Sequence, residues 1–173
     1  MAEKTRDQRK TPFFLKPIVD AIGGQRVVQV YMKIASPIDR RLIPMTNGRL
    51  STTLGQQVLV IEHEGAKSGK KRRTPLLYFR DGDNVVIVAS YGGNKRHPAW
   101  FFNLKANPRV RVWAKKVSGR YTARIAEGEE RERLWTAAVE FYPGYGKYRT
   151  YTDREIQLFV LAPETAAPSE SGN

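Results

Sequence analysis

Six short runs rich in β-branched and aromatic residues constrain the fold of this chain most strongly. They lie at residues 58–61, 74–79, 85–89, 109–114, 121–125 and 156–161. Turn-forming residues such as Asp81-Gly82-Asp83 separate them, and most neighbouring runs have no long helix between them. Neighbouring strands should therefore pair antiparallel, and closing such a small sheet removes its exposed edges. We expect a mainly β protein with helices (α+β), a small closed or split β-barrel of about six strands with flanking helices.

Helical patterns occur at three places. Pro98 precedes a short helix expected at residues 99–106, and Glu129-Glu130 opens a longer one with its acids at the positive end of the helix dipole. Apolar residues recur at three- and four-residue steps between residues 12 and 31, which indicates two short amphipathic helices. Residues 37–54 read as a loop or short turns.

These patterns divide the chain into a single folded domain with flanking segments. A chain of 173 residues is typical of one domain. We expect four parts: a disordered basic arm at 1–11, a helical segment and loop at 12–54, the barrel at 55–162 and a disordered tail at 163–173.

Composition narrows the function classes. The chain has no cysteine, which excludes disulfides and thiolate chemistry, and its two histidines make a zinc site improbable, so no metal is predicted. No apolar run approaches the roughly 20 residues of a membrane span, and no signal peptide is evident, so a cytoplasmic protein is expected. The net charge of +13 requires an acidic partner, which could be nucleic acid, an anionic membrane surface or a polyanionic small molecule.

The stretch at residues 65–75, with the sequence GAKSGKKRRTP, carries much of this charge. Its glycines let backbone amides approach a ligand, and its cations and Ser68 hydroxyl suit a phosphate or carboxylate. It is not a P-loop, because Lys70 stands where that motif needs glycine. A solvated basic hairpin turn is the alternative interpretation.

Four stretches together resemble a known family. They comprise Gly65-Ala66-Lys67-Ser68-Gly69 with Arg72 and Pro75-Leu76; Ala89-Ser90-Tyr91-Gly92-Gly93; His97-Pro98-Ala99-Trp100-Phe101-Phe102-Asn103-Leu104 with Ala106-Asn107-Pro108; and Tyr142-Pro143-Gly144-Tyr145 with Tyr148, Thr152 and Arg154. In this order, between about residues 54 and 163, they resemble the deazaflavin-dependent nitroreductase family, the branch of split-barrel oxidoreductases that uses coenzyme F420.

The resemblance implies a split barrel, a bound F420 that delivers hydride, and a set of site residues. The cofactor-binding residues it implies are Ala66, Lys67, Ser68, Arg72, Pro75, Leu76, Ser90, Tyr91, Ala99, Trp100, Asn103 and Tyr145. Those implied for catalysis are Tyr142, Tyr145, Tyr148 and Ser90, with Tyr145 the first choice because Gly144 permits a tight turn before it. Tyr91 departs from the family, whose members often carry lysine there.

The chemistry of these residues is consistent with a bound F420 and a hydride acceptor. F420 carries a phosphate and a tail of glutamates, which a basic loop would match. A tyrosine hydroxyl could donate a proton as hydride arrives at an acceptor, although the three tyrosines could also be core aromatics. Trp100 is favoured as core, and His97 as a helix cap or surface residue.

Three functions remain open on the sequence. The leading one is an F420-dependent reductase of a quinone, nitroaromatic or activated alkene. The others are an FMN-binding split-barrel oxidoreductase and a basic nucleic-acid-binding barrel. The apolar segment 13–31 is favoured as helix packed on the core. Its flanking cations suggest, as the other interpretation, peripheral contact with an anionic membrane at the inner face of the cell membrane. The protein is expected to be a monomer or homodimer.

Overall fold

The computed structural model describes residues 34–52 and 56–164 of the chain. The basic arm, the amphipathic segment at 12–31 and most of the predicted tail lie outside the described residues. The described strands are β1 (Val58–Glu64), β2 (Lys71–Asp81), β3 (Asn84–Val88), β4 (Arg109–Trp113), β5 (Gly119–Ile125) and β6 (Leu158–Pro163). The helices are α1 (Ser36–Met45), α2 (Ala99–Ala106), α3 (Gly128–Phe141) and α4 (Gly144–Arg149), with a 3-10 turn at Tyr91–Gly93.

The six strands form a closed barrel in the order β1-β2-β3-β6-β5-β4. Every neighbouring pair is antiparallel, including β1 with β4, which completes the ring. The last strand, β6, lies between β3 and β5, so it closes the barrel with hydrogen bonds on both sides. The predicted six-stranded antiparallel barrel with flanking helices is confirmed.

The barrel interior is filled by alternate residues of the strands together with α2. Along β4 and β5 exposed and buried residues alternate, as expected when one face of a sheet is dry. Trp100 and Phe101 of α2 pack on Phe159 of β6, with ring centroids 5.7 and 5.6 Å apart. Helix α2 therefore covers one part of the core. Trp100 is a core residue, as the sequence analysis favoured.

The other helices cover the outside of the barrel. Leu134, Trp135 and Ala138 of α3 pack with α4 over the outward residues Val86, Val88 and Leu158. Ile43 of α1 packs on Val58, Val60 and Trp113 at the opposite side. The barrel thus carries two apolar patches on its outer surface, each covered by helix.

Three expected boundaries are corrected. Residues 37–54 do not form only loop and turns, since α1 spans Ser36–Met45; Pro37 sits in its first turn, where a missing N–H costs nothing. The second half of the basic stretch belongs to β2, because Lys71 and Arg73 lie opposite Glu64 and Glu62 of β1. β6 begins two residues later than expected and includes Pro163, assigned above to the tail.

Candidate functional site

The basic loop at residues 65–70 joins β1 to β2. Its backbone is closed by the Gly65 N–H donating to the Lys70 carbonyl at 3.0 Å and the Gly69 N–H donating to the Gly65 carbonyl at 2.8 Å. Lys67, Ser68 and Lys70 are exposed. The loop therefore holds two cations and a hydroxyl toward solvent on a compact, internally bonded turn.

A chain of hydrogen bonds anchors this loop in the protein interior. The Ala66 N–H donates to Oδ1 of Asn103 on α2 at 2.9 Å. Nδ2 of Asn103 lies 3.1 Å from Nδ1 of His63, and Nε2 of His63 lies 3.0 Å from Oγ1 of Thr74. Asn103 and His63 are buried. The side chains thus tie the loop to α2 and to both strands that flank it.

The protonation state of His63 follows from its surroundings. Burial lowers the pKa of His63 to about 4, and the positive charge of Arg72 acts in the same direction. The imidazole is therefore neutral near pH 7. Since the Asn103 amide nitrogen is a donor, Nδ1 accepts its hydrogen bond and Nε2 carries the proton that it donates to Thr74.

The turn after β3 places Ser90 and Tyr91. Ser90 has right-handed helical backbone angles, while Tyr91 has a φ of 49°, in the left-handed region. A right-handed residue followed by a left-handed one turns successive amides toward one side, the geometry that binds anions. Ser90 is buried and Tyr91 is about half exposed. Gly93 lies so close to Tyr151 that a Cβ on it would approach that side chain to 2.9 Å.

The three predicted tyrosines lie together. Ring centroids of Tyr142 and Tyr145 are 5.1 Å apart, and those of Tyr145 and Tyr148 are 6.2 Å apart. The hydroxyls of Tyr142 and Tyr148 are 3.3 Å apart. Tyr145 and Tyr148 are 4% and 2% exposed, while Tyr142 is half-buried. Burial raises the pKa of both Tyr145 and Tyr148, so both hydroxyls keep their protons at neutral pH.

The remaining predicted residues lie near these groups along the chain. Arg72 faces His63 across the β1–β2 ladder, and Pro75 and Leu76 follow on β2 opposite Val60 and Leu59. Ala99 is the exposed first residue of α2. His97 is partly exposed and stacks on Phe101, with the ring centroids 4.0 Å apart.

Sequence reasoning missed the roles of two side chains, His63 and Arg154. His63 belongs to none of the sequence motifs. Its inward position on β1 was the one available signal of its role. Arg154 appeared in the fourth stretch without a role; its side chain bonds backbone carbonyls, which no residue pattern reveals. The structure joins the basic loop to α2 directly, and it joins the 90–94 turn to the tyrosine-bearing segment through Gly93 and Arg154.

Comparison with known proteins gives consistent matches. The family model of F420H(2)-dependent quinone reductase matches residues 38–163. An F420H(2)-dependent quinone reductase of Mycobacterium tuberculosis is 37% identical over 121 residues, which cover 67% of this chain and 81% of that protein. A solved F420-H2 dependent reductase is 48% identical with a TM-score of 0.56, covering 61% of this chain and 93% of the other. A structure described as a domain-swapped dimer is also 48% identical, with a TM-score of 0.57, covering 61% of this chain and 79% of that one.

Proposed function

The chain belongs to the F420H(2)-dependent quinone reductase family, and we infer from this that it is an F420H(2)-dependent reductase with a quinone acceptor. The family match over residues 38–163 carries the conclusion, because every residue of the candidate site lies inside that range. Reduced F420 supplies a hydride when bound, and a quinone becomes a hydroquinone by gaining one hydride and one proton. The chain's own residues bind the cofactor, orient the acceptor and exclude water.

We propose that the basic loop binds the anionic part of F420. Lys67 and Lys70 supply cations and Ser68 a hydroxyl on one exposed turn, whose backbone is held by the Ala66 and Ser68 N–H bonds, and Arg72 lies at its base. The phosphate and glutamates of the cofactor match this donor set in charge and in hydrogen bonding. The further proposed cofactor-binding residues are Pro75, Leu76, Ser90, Tyr91, Ala99, Trp100, Asn103 and Tyr145.

The tyrosines are proposed to orient the acceptor and to supply its proton. Tyr142 replaces Tyr145 as the first choice, because Tyr145 is only 4% exposed, whereas Tyr142 is the most exposed of the three and its hydroxyl lies beside that of Tyr148. Tyr145 and Tyr148 pack behind it, where their raised pKa values keep them protonated donors. Ser90 is the other proposed hydroxyl near the reacting atoms.

An absorbance titration with F420 tests the proposal. Lys67→Ala and Arg72→Ala should each weaken binding by about 1.5–3 kcal/mol, the scale of a hydrogen bond to a charged group. Arg109→Ala is the matched control, since Arg109 is exposed on the outer face of β4. Unchanged affinity in both loop variants would move the anion site elsewhere. Binding of FMN, which absorbs at longer wavelength, without binding of F420 would contradict the cofactor assignment.

The acceptor range is proposed to be wider than quinones. Nitroaromatics and activated alkenes also accept hydride at an electron-poor carbon, and the same hydroxyls could orient their oxygens. A screen of the three acceptor classes with reduced F420 measures this range. Turnover of quinones alone would restrict the proposed acceptors to quinones.

We also propose a cytoplasmic enzyme that contacts the inner face of the cell membrane, where apolar quinones dissolve. On α1, Ile38 and Met45 are 51% and 83% exposed beside the exposed Arg41, a pairing that suits an anionic lipid surface. Within residues 34–52 and 56–164, no helix is long and apolar enough to cross a bilayer. Flotation with anionic vesicles measures this contact, and equal recovery with neutral vesicles would contradict it.

A homodimer is proposed as the assembly. The support is the similar structure described as a domain-swapped dimer. Light scattering on the purified protein measures the mass, and a monomer across the working concentration range would overturn this proposal.

A further inference from the structure

Arg154 makes an unusual set of contacts with a distant part of the chain. Its Nη2 donates to the carbonyls of Ser90 and Ala89 at 2.7 and 3.1 Å. Its Nε donates to the Asn94 carbonyl at 2.8 Å, and its Nη1 lies 3.4 Å from Nδ1 of His97. One guanidinium therefore joins three backbone carbonyls of the turn that follows β3.

The backbone of that turn is irregular. Tyr91, Gly92 and Gly93 all have positive φ, so the turn continues neither the strand before it nor a regular helix. Its internal backbone bonds include those of the Gly93 N–H to the Ser90 carbonyl and of the Asn94 N–H to the Tyr91 carbonyl. The planar fork of an arginine can satisfy several carbonyls at fixed angles, which a single ammonium cannot do.

Arg154 also connects this turn to the segment that follows the tyrosines. Its own N–H lies 3.3 Å from Oγ1 of Thr152, and it follows α4 by five residues. The close approach of Gly93 to Tyr151 makes a second contact between the same two segments. The turn that carries Ser90 and Tyr91 is therefore fastened to the element that carries Tyr145 and Tyr148.

The guanidinium is not arranged as an anion site. It borders a cavity of about 520 Å³ between α3 and residues 149–156, which also holds Arg131 and Arg149. Arg131 pairs with Glu132 and with Glu155, and Arg149 stacks on Trp135 at 5.1 Å. Carboxylates balance the cations of this cavity, whereas the N–H groups of Arg154 point at carbonyls.

We propose that Arg154 is a positioning residue that holds the Ser90–Asn94 turn in the shape that receives the deazaflavin and aligns it with the tyrosine cluster. The proposal rests on the function proposed above. Arg154 acts through the backbone of the turn, so its loss should change the affinity for F420 and the rate together. Substitution by lysine should not restore either, although it keeps the charge.

The experiment compares Arg154→Lys and Arg154→Ala with Arg149→Lys, a charge-conserving change in a neighbouring arginine that touches no carbonyl of the turn. We expect F420 affinity to fall at least 10-fold in both Arg154 variants and to stay within twofold of wild type in Arg149→Lys. Millimolar guanidinium should restore part of the affinity of Arg154→Ala, while an equal concentration of sodium chloride should not. Wild-type affinity in both folded Arg154 variants would overturn the proposal.

Hydrogen exchange separates this proposal from the proposed function. Amides of residues 90–97 should exchange faster in Arg154→Lys than in wild type, with those of α3 unchanged, and this readout needs no cofactor. Faster exchange in a protein that binds no F420 would support the positioning role and contradict the proposed function. Unchanged exchange at 90–97 would overturn the positioning role whether or not F420 binds. If Arg154→Ala does not fold, Arg154→Lys supplies the same comparison.

Discussion

His63 shows how a single buried side chain controls a surface loop. It faces the barrel interior, yet through Asn103 it determines where the Ala66 amide lies. A protonated His63 would carry a hydrogen on Nδ1 and could not accept from Asn103. Because the folded state holds the pKa of His63 at about 4, below its ordinary value near 6.5, the unfolded chain binds this proton more readily.

The consequence is a stability that falls with acid. Between about pH 6.5 and pH 4 the unfolded state binds more protons at this site, so the free energy of unfolding decreases as pH falls through that window. Allowing for solvent screening, we expect a loss of about 2 kcal/mol at pH 4, from roughly 1.4 kcal/mol per pKa unit. Urea titrations at several pH values measure it.

His63→Gln is the control for this pH dependence. Glutamine does not titrate, so the variant should lose less stability than wild type over the same window, even if it is less stable at pH 7. Carboxylates with lowered pKa values, such as Asp81 beside Arg133, contribute equally to both proteins and cancel in the comparison. Identical pH slopes would show that His63 is not the titrating group.

The tyrosine hydroxyls can be tested one at a time. Tyr142→Phe keeps the aromatic ring but removes the hydroxyl proposed to face the acceptor, so turnover should fall roughly 10²–10⁴-fold with F420 affinity unchanged. Tyr145→Phe is the matched comparison, because Tyr145 is only 4% exposed. We expect a smaller effect on its rate. Full turnover in Tyr142→Phe, Tyr145→Phe and Tyr148→Phe alike would leave the cluster without a chemical role.

Sequence alone predicted the residue types of the site but not how they are connected. Lys67, Ser68 and the tyrosines could be named because charge, hydroxyl and aromatic character are visible in a sequence. The partner of Asn103 lies 37 positions away at Ala66, and its contact is to a backbone N–H. Backbone contacts depend on the closed barrel, so residue patterns do not specify them.

At the scale of elements, α1 was missed for a physical reason. Residues from Pro37 to 54 were expected to form a loop or short turns, whereas proline is favoured in the first turn of a helix. The strands were located well because alternation and turn residues are local signals, and α2 was predicted with the bounds it has. Strand ends shifted where pairing with a neighbour extended them, as in β2.

The end of α1 is fixed by a close backbone contact. Gly48 has a φ of +78°, and a Cβ there would lie 2.2 Å from the Ala114 carbonyl carbon and from the Lys115 nitrogen. Gly48→Ala should therefore lower the free energy of unfolding by about 2–4 kcal/mol, since backbone must move in addition to the strained φ. Thermal or urea unfolding measures the loss.

Gly82→Ala is the matched control for the contact. Gly82 has a similar φ of +60°, but nothing lies within 4 Å of its Cβ position. It should show the backbone strain alone, about 1 kcal/mol. Equal losses of unfolding free energy in both variants would mean that the close contact of Gly48 with the segment between β4 and β5 does not limit the residue at this position.

Charge acts at the scale of the whole molecule. The net charge of +13 should attract F420 from a distance, and added salt screens such attraction, with a Debye length of about 10 Å at 0.1 M. F420 affinity should therefore fall steadily as salt rises from about 50 to 500 mM. The deazaflavin chromophore without phosphate and glutamates is the control, and its affinity should change little. Parallel salt dependence of the two would place the attraction on the chromophore.

The position of β6 has a consequence for synthesis on the ribosome. Residues 158–163 leave the exit tunnel after the other strands that the structure describes, yet they fill the gap between β3 and β5. Until they emerge, both of those strands present unpaired edges, and Arg154 is not yet available to the carbonyls of the 90–94 turn. In the nascent chain these two unpaired strand edges must therefore be protected from aggregation, a protection that chaperones commonly supply. Barrel closure and completion of the 90–94 turn become a single late event.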